Sequence, residues 1–551
     1  MRTIVHNRAE RLPVVAFCFL LSLFAIGTAG PGADAAKYSE WGYFFLTRKL
    51  DVFTNYPAHF ITRQPIITWS FGPGSVWSTF SSLARNRIPI GAQTAGIFLG
   101  ILNLSVGLLF TTTIKHRTIH EKIFLTSLII FCTPVGFYFN HFSTEGLSVF
   151  LLLLFFFGHN KLQVNNRISP FNLLLCSSSM YLLVAVRFSY LPMAVILLLL
   201  SLYCLVKKND LSFSQKIVRG AALISPMLWG VYSVSEINKL MSGNFFGPYK
   251  VGDQLFSTVS LNHLHSFEIL IHSWHGLLIY HPIFIIFIYR LVRSMIPSLK
   301  SIGGVEVAMF LACLGIFLIT FLSQAAWFIW WMGSGTFGAR QFCASAIVIG
   351  VWLLSSRQSI FPKQYFSRCL LALVVFYSLL HYQIGISNFT SFAALWEGLR
   401  FQLVDFPPYL FMILICLYFC KVAKGKILDV SPLMIIPFVL IFGSFQFAGR
   451  VPVLVLFSSI VVSCLALRYH KILVKSLSAT VLVLVLILIF QSAMNQNFLR
   501  NQLLDHALIS SGDSSQIDCQ EYTAALNEYQ KLNGFAESKK NLADFLTRVN
   551  C

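Results

Sequence analysis

Apolar runs long enough to cross a bilayer recur from one end of the chain to the other. A hydrocarbon core of about 30 Å needs roughly 20 apolar residues in helical form, and windows of that size predict roughly 13–15 transmembrane helices. The predicted spans are Pro13–Ala29, Ile90–Ile114, Ile123–Tyr138, Glu145–Gly158, Asn172–Phe188, Met193–Val206, Ala221–Val234, Ile271–Tyr289, Val305–Trp327, Gln341–Leu354, Leu370–Ile386, Pro408–Val422, Pro432–Phe447, Pro452–Leu467 and Leu477–Gln491. The pattern therefore predicts an all-α polytopic membrane protein.

The segments between these spans alternate between short basic loops and longer loops. The basic ones are Lys115–Lys122, Lys161–Arg167, Lys207–Arg219, Arg290–Lys300, Arg357–Arg368, Lys421–Lys426 and Arg468–Lys475. They all fall on one side if every predicted span crosses, and basic loops resist translocation and stay cytoplasmic. We therefore expect a multi-pass protein of the plasma (bacterial inner) membrane, with a cytoplasmic N-terminus and an exterior C-terminus.

The long loops all fall on the exterior side of this arrangement. They are Gly30–Pro89, Asn238–Leu270, Trp330–Arg340, Ser387–Pro407 and the tail after Ser492. Function is usually carried by loops held on a rigid scaffold, so the expected working face is exterior. The basic residues before the first apolar run are also typical of a cleavable signal peptide, but we favour an uncleaved first helix because the side assignment needs it to cross.

Composition supports the membrane interpretation and explains the net charge. Hydrophobic residues make up 56% of the 551 and charged residues only 11%, against about 25% charged in soluble domains. This excludes a soluble enzyme, a disordered chain and a collagen-like fibre. The formal net charge is +20, from 41 basic and 21 acidic residues. Because the excess falls mostly on the predicted cytoplasmic loops, it indicates which side of the membrane those loops occupy, and we predict no nucleic-acid partner.

The first exterior loop holds the first group of candidate functional residues. In a helix, Asp34, Lys37, Tyr38 and Trp41 would share one face, and Glu40 lies among them. A carboxylate at the membrane rim, near a cation and aromatic rings, suits a general base acting on a polar acceptor. An ordinary solvated interfacial helix is the alternative.

A second group lies in the segment WFIWWMGSGTFGARQF, residues 327–342. Trp330 and Trp331 suit substrate contacts or a simple interfacial belt, and the glycines between them and Arg340 let a ligand approach the backbone. Arg340 and Arg187 both lie at outer helix ends, where a guanidinium needs a partner. A lipid phosphate fits this need, and snorkelling to the interface is the alternative.

Histidines and two cysteines complete the exterior candidates. His263, His265, His272, His275 and His281 cluster in or after the loop that starts at Asn238, without an HExxH or CxxC pattern. We predict polar rim or acceptor contacts there, with His275 and His281 as the substrate-binding candidates, and no cofactor; a divalent metal is the alternative, which the spacing does not support. Cys519 and Cys551 in the exterior tail are candidates for a disulfide, and two unrelated free thiols are the alternative.

Four elements between about Gly30 and Arg340 occur in the order of a known enzyme superfamily. They are DAAKYSEWGYFF with KLDVFTNYP, then GPGSVWSTF, then INKLMSGNFFGPYKVGD with HGLLIYHPIF, and finally WWMGSGTFGARQF. This order resembles the GT-C glycosyltransferases, in particular bacterial relatives of the protein O-mannosyltransferase and dolichyl-phosphate-mannose-mannosyltransferase group. Two positions depart from the family pattern: Ala35 replaces the usual second acidic residue, and the glycine segment is longer.

The resemblance implies an inverting cell-envelope glycosyltransferase that moves a hexose or pentose from a polyprenyl-phosphate donor to an exterior hydroxyl on a lipid, glycan or protein. Asp34 would be the general base, and Arg340, with Arg187 or Lys37, would hold the donor phosphate. Residues 1–355 would form the catalytic module, 356–491 additional transmembrane helices and 492–551 an exterior tail. A lipid or oligosaccharide flippase and an O-antigen polymerase or ligase-type enzyme are the alternatives.

Overall fold

The computed structural model describes residues 33–48, 71–78, 88–114, 116–117, 119–139, 141–164, 169–242, 245, 264–271, 276–300, 304–326, 339–356 and 478–503. The regular structure in these ranges is entirely helical. The helices are α1 (Ala33–Thr47), α2 (Gly72–Val76), α3 (Ile88–Thr113), α4 (Ile119–Cys132), α5 (Val135–Tyr138), α6 (Thr144–Val164), α7 (Pro170–Val186), α8 (Leu191–Val206), α9 (Phe213–Ser242), α10 (Ser266–Ile271), α11 (Leu277–Tyr280), α12 (Ile283–Lys300), α13 (Val305–Ala325), α14 (Cys343–Ser355) and α15 (Ser478–Leu503).

Six stretches of helix in these ranges are long and apolar enough to cross a membrane. They are Thr94–Thr113, Thr144–Gln163, Phe188–Val206, Phe213–Met241, Glu306–Ala325 and Ser478–Leu503. The prediction of an all-α, integral, multi-pass membrane protein is therefore confirmed. The predicted spans Pro13–Ala29, Leu370–Ile386, Pro408–Val422, Pro432–Phe447 and Pro452–Leu467 lie outside the described residues.

Proline places two helix boundaries differently from the hydropathy pattern. The predicted span Ile123–Tyr138 is interrupted, because α4 ends at Cys132 and α5 starts after Pro134. The predicted span Ile271–Tyr289 is wrong in position, since its main helix starts only after Pro282 and continues to Lys300. Proline lacks an N–H and clashes with the preceding turn, so a helix starts after it more readily than it continues through it.

Helix α6 lies at the centre of the packing. It contacts α3, α7 and α14, and Phe150, Phe155, Phe156 and Phe157 along it are fully buried. A helix that is apolar on all sides buries itself among other helices. The two ends of α6 are therefore held by neighbours on several sides, which matters for the residues at its N-terminus.

Hydrogen bonds at the other end of α6 bring several of the basic loops together. Arg117 donates to the carbonyl oxygens of Leu353 and Ser356, and Lys208 donates to Gln163 O at 3.1 Å. Asn160 Nδ2 of α6 also donates to Thr113 Oγ1 of α3 at 3.1 Å. The C-terminal ends of α3, α6, α8 and α14 therefore meet at one end, which we call the basic end. This shared end is the arrangement that the charge pattern predicts for them.

The opposite end contains the predicted first exterior loop, in which α1 and α2 are helical. A Cβ added at Gly74 would lie 2.5 Å from Trp41 Cβ, and one at Gly72 would lie 2.1 Å from Ala185 O. Glycine at these two positions therefore lets α2 fit between α1 and the end of α7. The close approach explains the use of the GPG sequence.

Helix α15 fixes α2 from the other side. It continues to Leu503, past the predicted span end at Gln491, and carries buried polar residues on its last turns. Asn495 Nδ2 donates to Ser75 O at 2.9 Å, and Ser233 Oγ of α9 donates to Gln496 Oε1 at 2.7 Å. Because each buried polar group has a partner, the polar end of the helix can remain inside the bundle.

Candidate functional site

A buried carboxylate lies at the start of the central helix. Glu145 is the second residue of α6 and only 1% exposed. Ser143 Oγ accepts a hydrogen bond from Gly146 N at 3.1 Å, which satisfies one of the free N–H groups in the first helical turn. A negative charge is also favourable near a helix N-terminus. The local sequence thus places a carboxylate, already partly stabilised, at the end opposite the basic end.

Two arginines from distant segments meet this carboxylate. Arg187 follows the last residue of α7, where the chain becomes extended, and its Nη1 lies 3.6 Å from Glu145 Oε1. Arg340 starts the short 3-10 turn before α14, and its Nε lies 3.7 Å from the same oxygen. We call Glu145, Arg187 and Arg340 the arginine–glutamate cluster.

Neighbouring polar groups hold the cluster in place. Thr144 Oγ1 donates to Glu145 Oε2 at 3.0 Å, and Arg187 Nη1 donates to Gln341 Oε1 at 3.3 Å. Tyr190 is buried beside the cluster. Ion pairs and hydrogen bonds of this kind fix the orientation of the two guanidinium groups.

The cluster has the chemistry of an anion site. Arg187 is 8% exposed and the Arg340 side chain 13% exposed, so both charges lie largely out of water, where electrostatic interactions are stronger. A guanidinium carries five N–H donors in a planar fork. That fork matches the oxygens of a phosphate or carboxylate in bidentate geometry.

Helix α1 packs near the cluster. The ring of Tyr38 lies edge-on to the ring of Phe142, with 6.2 Å between centroids, and Phe142 precedes Glu145 by three residues. Asp34 lies one helical turn before Tyr38 on α1, as the sequence predicts, and Lys37 lies on the same helix. For Asp34 and Lys37 the structure describes the helical backbone and not the side chains.

The other predicted residues differ in exposure and in position. Tyr38 is buried at 5% exposure, Glu40 is half-buried, and His281 is buried at 2% exposure just before α12. The structure thus brings Arg187 and Arg340 together and places Tyr38 near them. The candidates that lie outside the described residues are Trp330, Trp331, His275, Cys519 and Cys551.

No cluster of three or more potential metal ligands occurs in the part of the chain that the structure describes. The cysteines Cys132, Cys176, Cys204, Cys313 and Cys343 are buried.

Glu145 is the site residue that sequence reasoning missed. Its only signal is its position: an acidic residue at the outer end of a long apolar run, where an ionisable group is costly and usually functional or paired. The pairing itself joins residues 42 and 195 positions apart, and no local pattern reports such contacts.

No protein-family model and no curated protein matches the chain. Among solved structures, it is similar to a crystal structure of ArnT from Cupriavidus metallidurans bound to undecaprenyl phosphate. The identity is 13%, the match covers 80% of this chain and 77% of that chain, and the TM-score is 0.44. A likeness this distant does not bear on the function of this chain, which depends on the chemistry of its own residues.

Proposed function

We propose that the chain is an inverting glycosyltransferase of the GT-C type, transferring a sugar from a polyprenyl-phosphate donor to an acceptor hydroxyl on the exterior side of the membrane. The convergence of Arg187 and Arg340 on Glu145 is the observation that carries this proposal. It supports a phosphate site at the end of the bundle where α1, with Asp34, is packed.

The arginines suit the leaving group of the transfer. As the bond between the anomeric carbon and the phosphate oxygen breaks, negative charge develops on the polyprenyl phosphate. Guanidinium groups that are held in place before the reaction stabilise such charge without reorganisation. Glu145 contributes indirectly, because its carboxylate keeps two like charges close together that would otherwise repel.

Asp34 suits the other half of the reaction. The acceptor oxygen attacks the anomeric carbon from the face opposite the phosphate, and its proton passes to the Asp34 carboxylate. A general base must come within hydrogen-bond reach of the proton that it takes. The position of Asp34, one turn from Tyr38 on a helix that packs beside the cluster, supports this role.

The proposal is tested by mass spectrometry of polyprenyl-linked sugars and envelope glycans in cells with and without the chain. We expect loss of the chain to raise the amount of one polyprenyl-phosphate sugar and to remove that sugar from one exterior acceptor. A flippase would instead change the sidedness of a lipid-linked glycan without loss of a glycosidic linkage. A polymerase or ligase would change the length or attachment of a polymer, and either result would contradict the proposal.

A further inference from the structure

A second feature of the bundle lies away from the arginine–glutamate cluster. A cleft with a cavity volume of about 90 Å³, open at its mouth, runs between α3, α4, α6 and α14. Most of the residues that line it are apolar, among them Leu104, Phe110, Ile129, Leu153 and Val351. Protein interiors are close-packed and seldom contain voids larger than a water molecule. An open apolar cleft in a membrane protein can therefore take up an apolar group from the surrounding lipid.

Polar groups are distributed unevenly along the cleft. Thr111, Lys122 and Thr126 lie together near the basic end, where Lys122 Nζ donates to Thr111 O at 3.0 Å. At the inner end of the cleft, Asn103 Nδ2 donates a hydrogen bond to the carbonyl oxygen of Phe139 at 2.6 Å. The cleft is thus apolar along its length and carries its cation at one end. This is the polarity of an amphiphile whose anionic head lies near Lys122.

The length of the cleft fits one leaflet of a bilayer. Asn103 and Thr111 are eight residues apart on α3, which corresponds to about 12 Å of helix rise. Half of a hydrocarbon core is about 15 Å. Partial burial also lowers the pKa of the Lys122 ammonium, and a phosphate anion beside it would offset that cost.

We infer that this cleft binds an acyl chain of an anionic glycerophospholipid from the leaflet at the basic end, with the lipid phosphate held by Lys122. The site is separate from the proposed sugar-transfer site, and its occupant enters from the opposite end of the helices. A membrane lipid, rather than the sugar donor, fits because the cation that could hold a phosphate lies at the basic end of the cleft.

Gly107 offers a direct way to close the cleft. Among the described residues, a Cβ added there would meet only Leu153 Cδ1, at 3.9 Å. Because Gly107 lines the cleft, a larger side chain at this position has room to extend into it. We therefore expect Gly107→Ala to be tolerated with the lipid still bound, whereas Gly107→Phe fills the volume that the acyl chain needs.

The test uses the full chain in nanodiscs of phosphatidylcholine with a minor share of phosphatidylglycerol that carries a photoreactive group on its acyl chain. We expect labelled peptides from α3 and α4. Labelling should fall about tenfold in Lys122→Gln, the loss typical of a hydrogen bond to a charged group, and also in Gly107→Phe. Lys216 is the matched control, because its Nζ likewise donates to a helix-end carbonyl, that of Val206, at 2.8 Å. Lys216→Gln should label like the wild type.

Three outcomes would overturn the inference. Labelling confined to residues 357–477 would show that the lipid binds elsewhere, and full labelling of a correctly folded Gly107→Phe variant would show that the cleft is not used. Displacement of the probe by polyprenyl phosphate, but not by unlabelled phosphatidylglycerol, would assign the cleft to the sugar donor. Elution as a single species in size-exclusion chromatography verifies the fold of each variant, and no readout depends on sugar transfer.

Discussion

Replacing Glu145 with glutamine removes the charge that holds Arg187 and Arg340 together. Arg187 Nη1 lies 3.6 Å and Arg340 Nε lies 3.7 Å from Glu145 Oε1. At that separation two opposite unit charges attract by roughly 4–5 kcal/mol at an effective dielectric of about 20. Desolvation offsets part of this attraction. Removal of one partner from a buried pair nevertheless costs about 3–5 kcal/mol, because it leaves a buried charge uncompensated. We expect Glu145→Gln to lower the free energy of unfolding by about that amount.

Thermal unfolding of the purified protein in detergent measures this effect against a matched control. Glu236 also pairs with an arginine, Arg500, but the two side chains are 31% and 36% exposed, and pairs of this kind contribute at most about 1 kcal/mol. Glu145→Gln should therefore lower the Tm by several degrees more than Glu236→Gln. Inorganic phosphate should recover part of the loss in Glu145→Gln, because the anion replaces the missing carboxylate between the two guanidinium groups.

The double variant gives a second comparison. Arg340→Gln in the Glu145→Gln background removes the repulsion between the two arginines and should recover part of the Tm. A Glu145→Gln protein as stable as Glu236→Gln, with no response to phosphate, would show that this carboxylate does not organise an anion site.

Three further predictions concern Arg340, His141 and the predicted disulfide. Arg340→Ala should weaken donor binding or turnover at least about tenfold, since a hydrogen bond to a charged group contributes roughly 1.5–3 kcal/mol, and unchanged kinetics would remove Arg340 from the site. Burial lowers the pKa of His141 to about 4. The unfolded state therefore binds more protons than the folded state below about pH 6.5, so stability should fall as the pH drops from there toward 4. His141→Gln should reduce the slope of Tm against pH, and an unaltered slope would contradict the burial of this histidine. Reduction of the predicted disulfide between Cys519 and Cys551 should change the protease digestion pattern of the tail, and an identical pattern would argue for free thiols.

The helical architecture was predictable because it follows from local composition. Long apolar runs specify membrane-spanning helices whatever lies around them, and the charge of the loops groups them by side. The boundaries predicted around α5 and α12 were less accurate, since Pro134 and Pro282 interrupt apolar runs that hydropathy alone treats as continuous.

The candidate site was predictable only in part. Arg187 and Arg340 could be recognised because a guanidinium at a helix end in a membrane needs a partner. Their shared partner Glu145 could not, because the contact depends on how α6, α7 and α14 pack. The hydrogen bonds between Ser75 and Ser492, 417 residues apart, are unpredictable for the same reason.

The general-base role of Asp34 is tested by comparing Asp34→Asn with the wild type in a reconstituted transfer assay. The purified protein is given a polyprenyl-phosphate sugar and an envelope extract as the acceptor, and donor binding and product are measured separately. Asparagine keeps the size of the side chain but cannot take the proton from the acceptor hydroxyl. We therefore expect normal donor binding, with product formation lowered at least about a hundredfold. Product formation at the wild-type rate would contradict it.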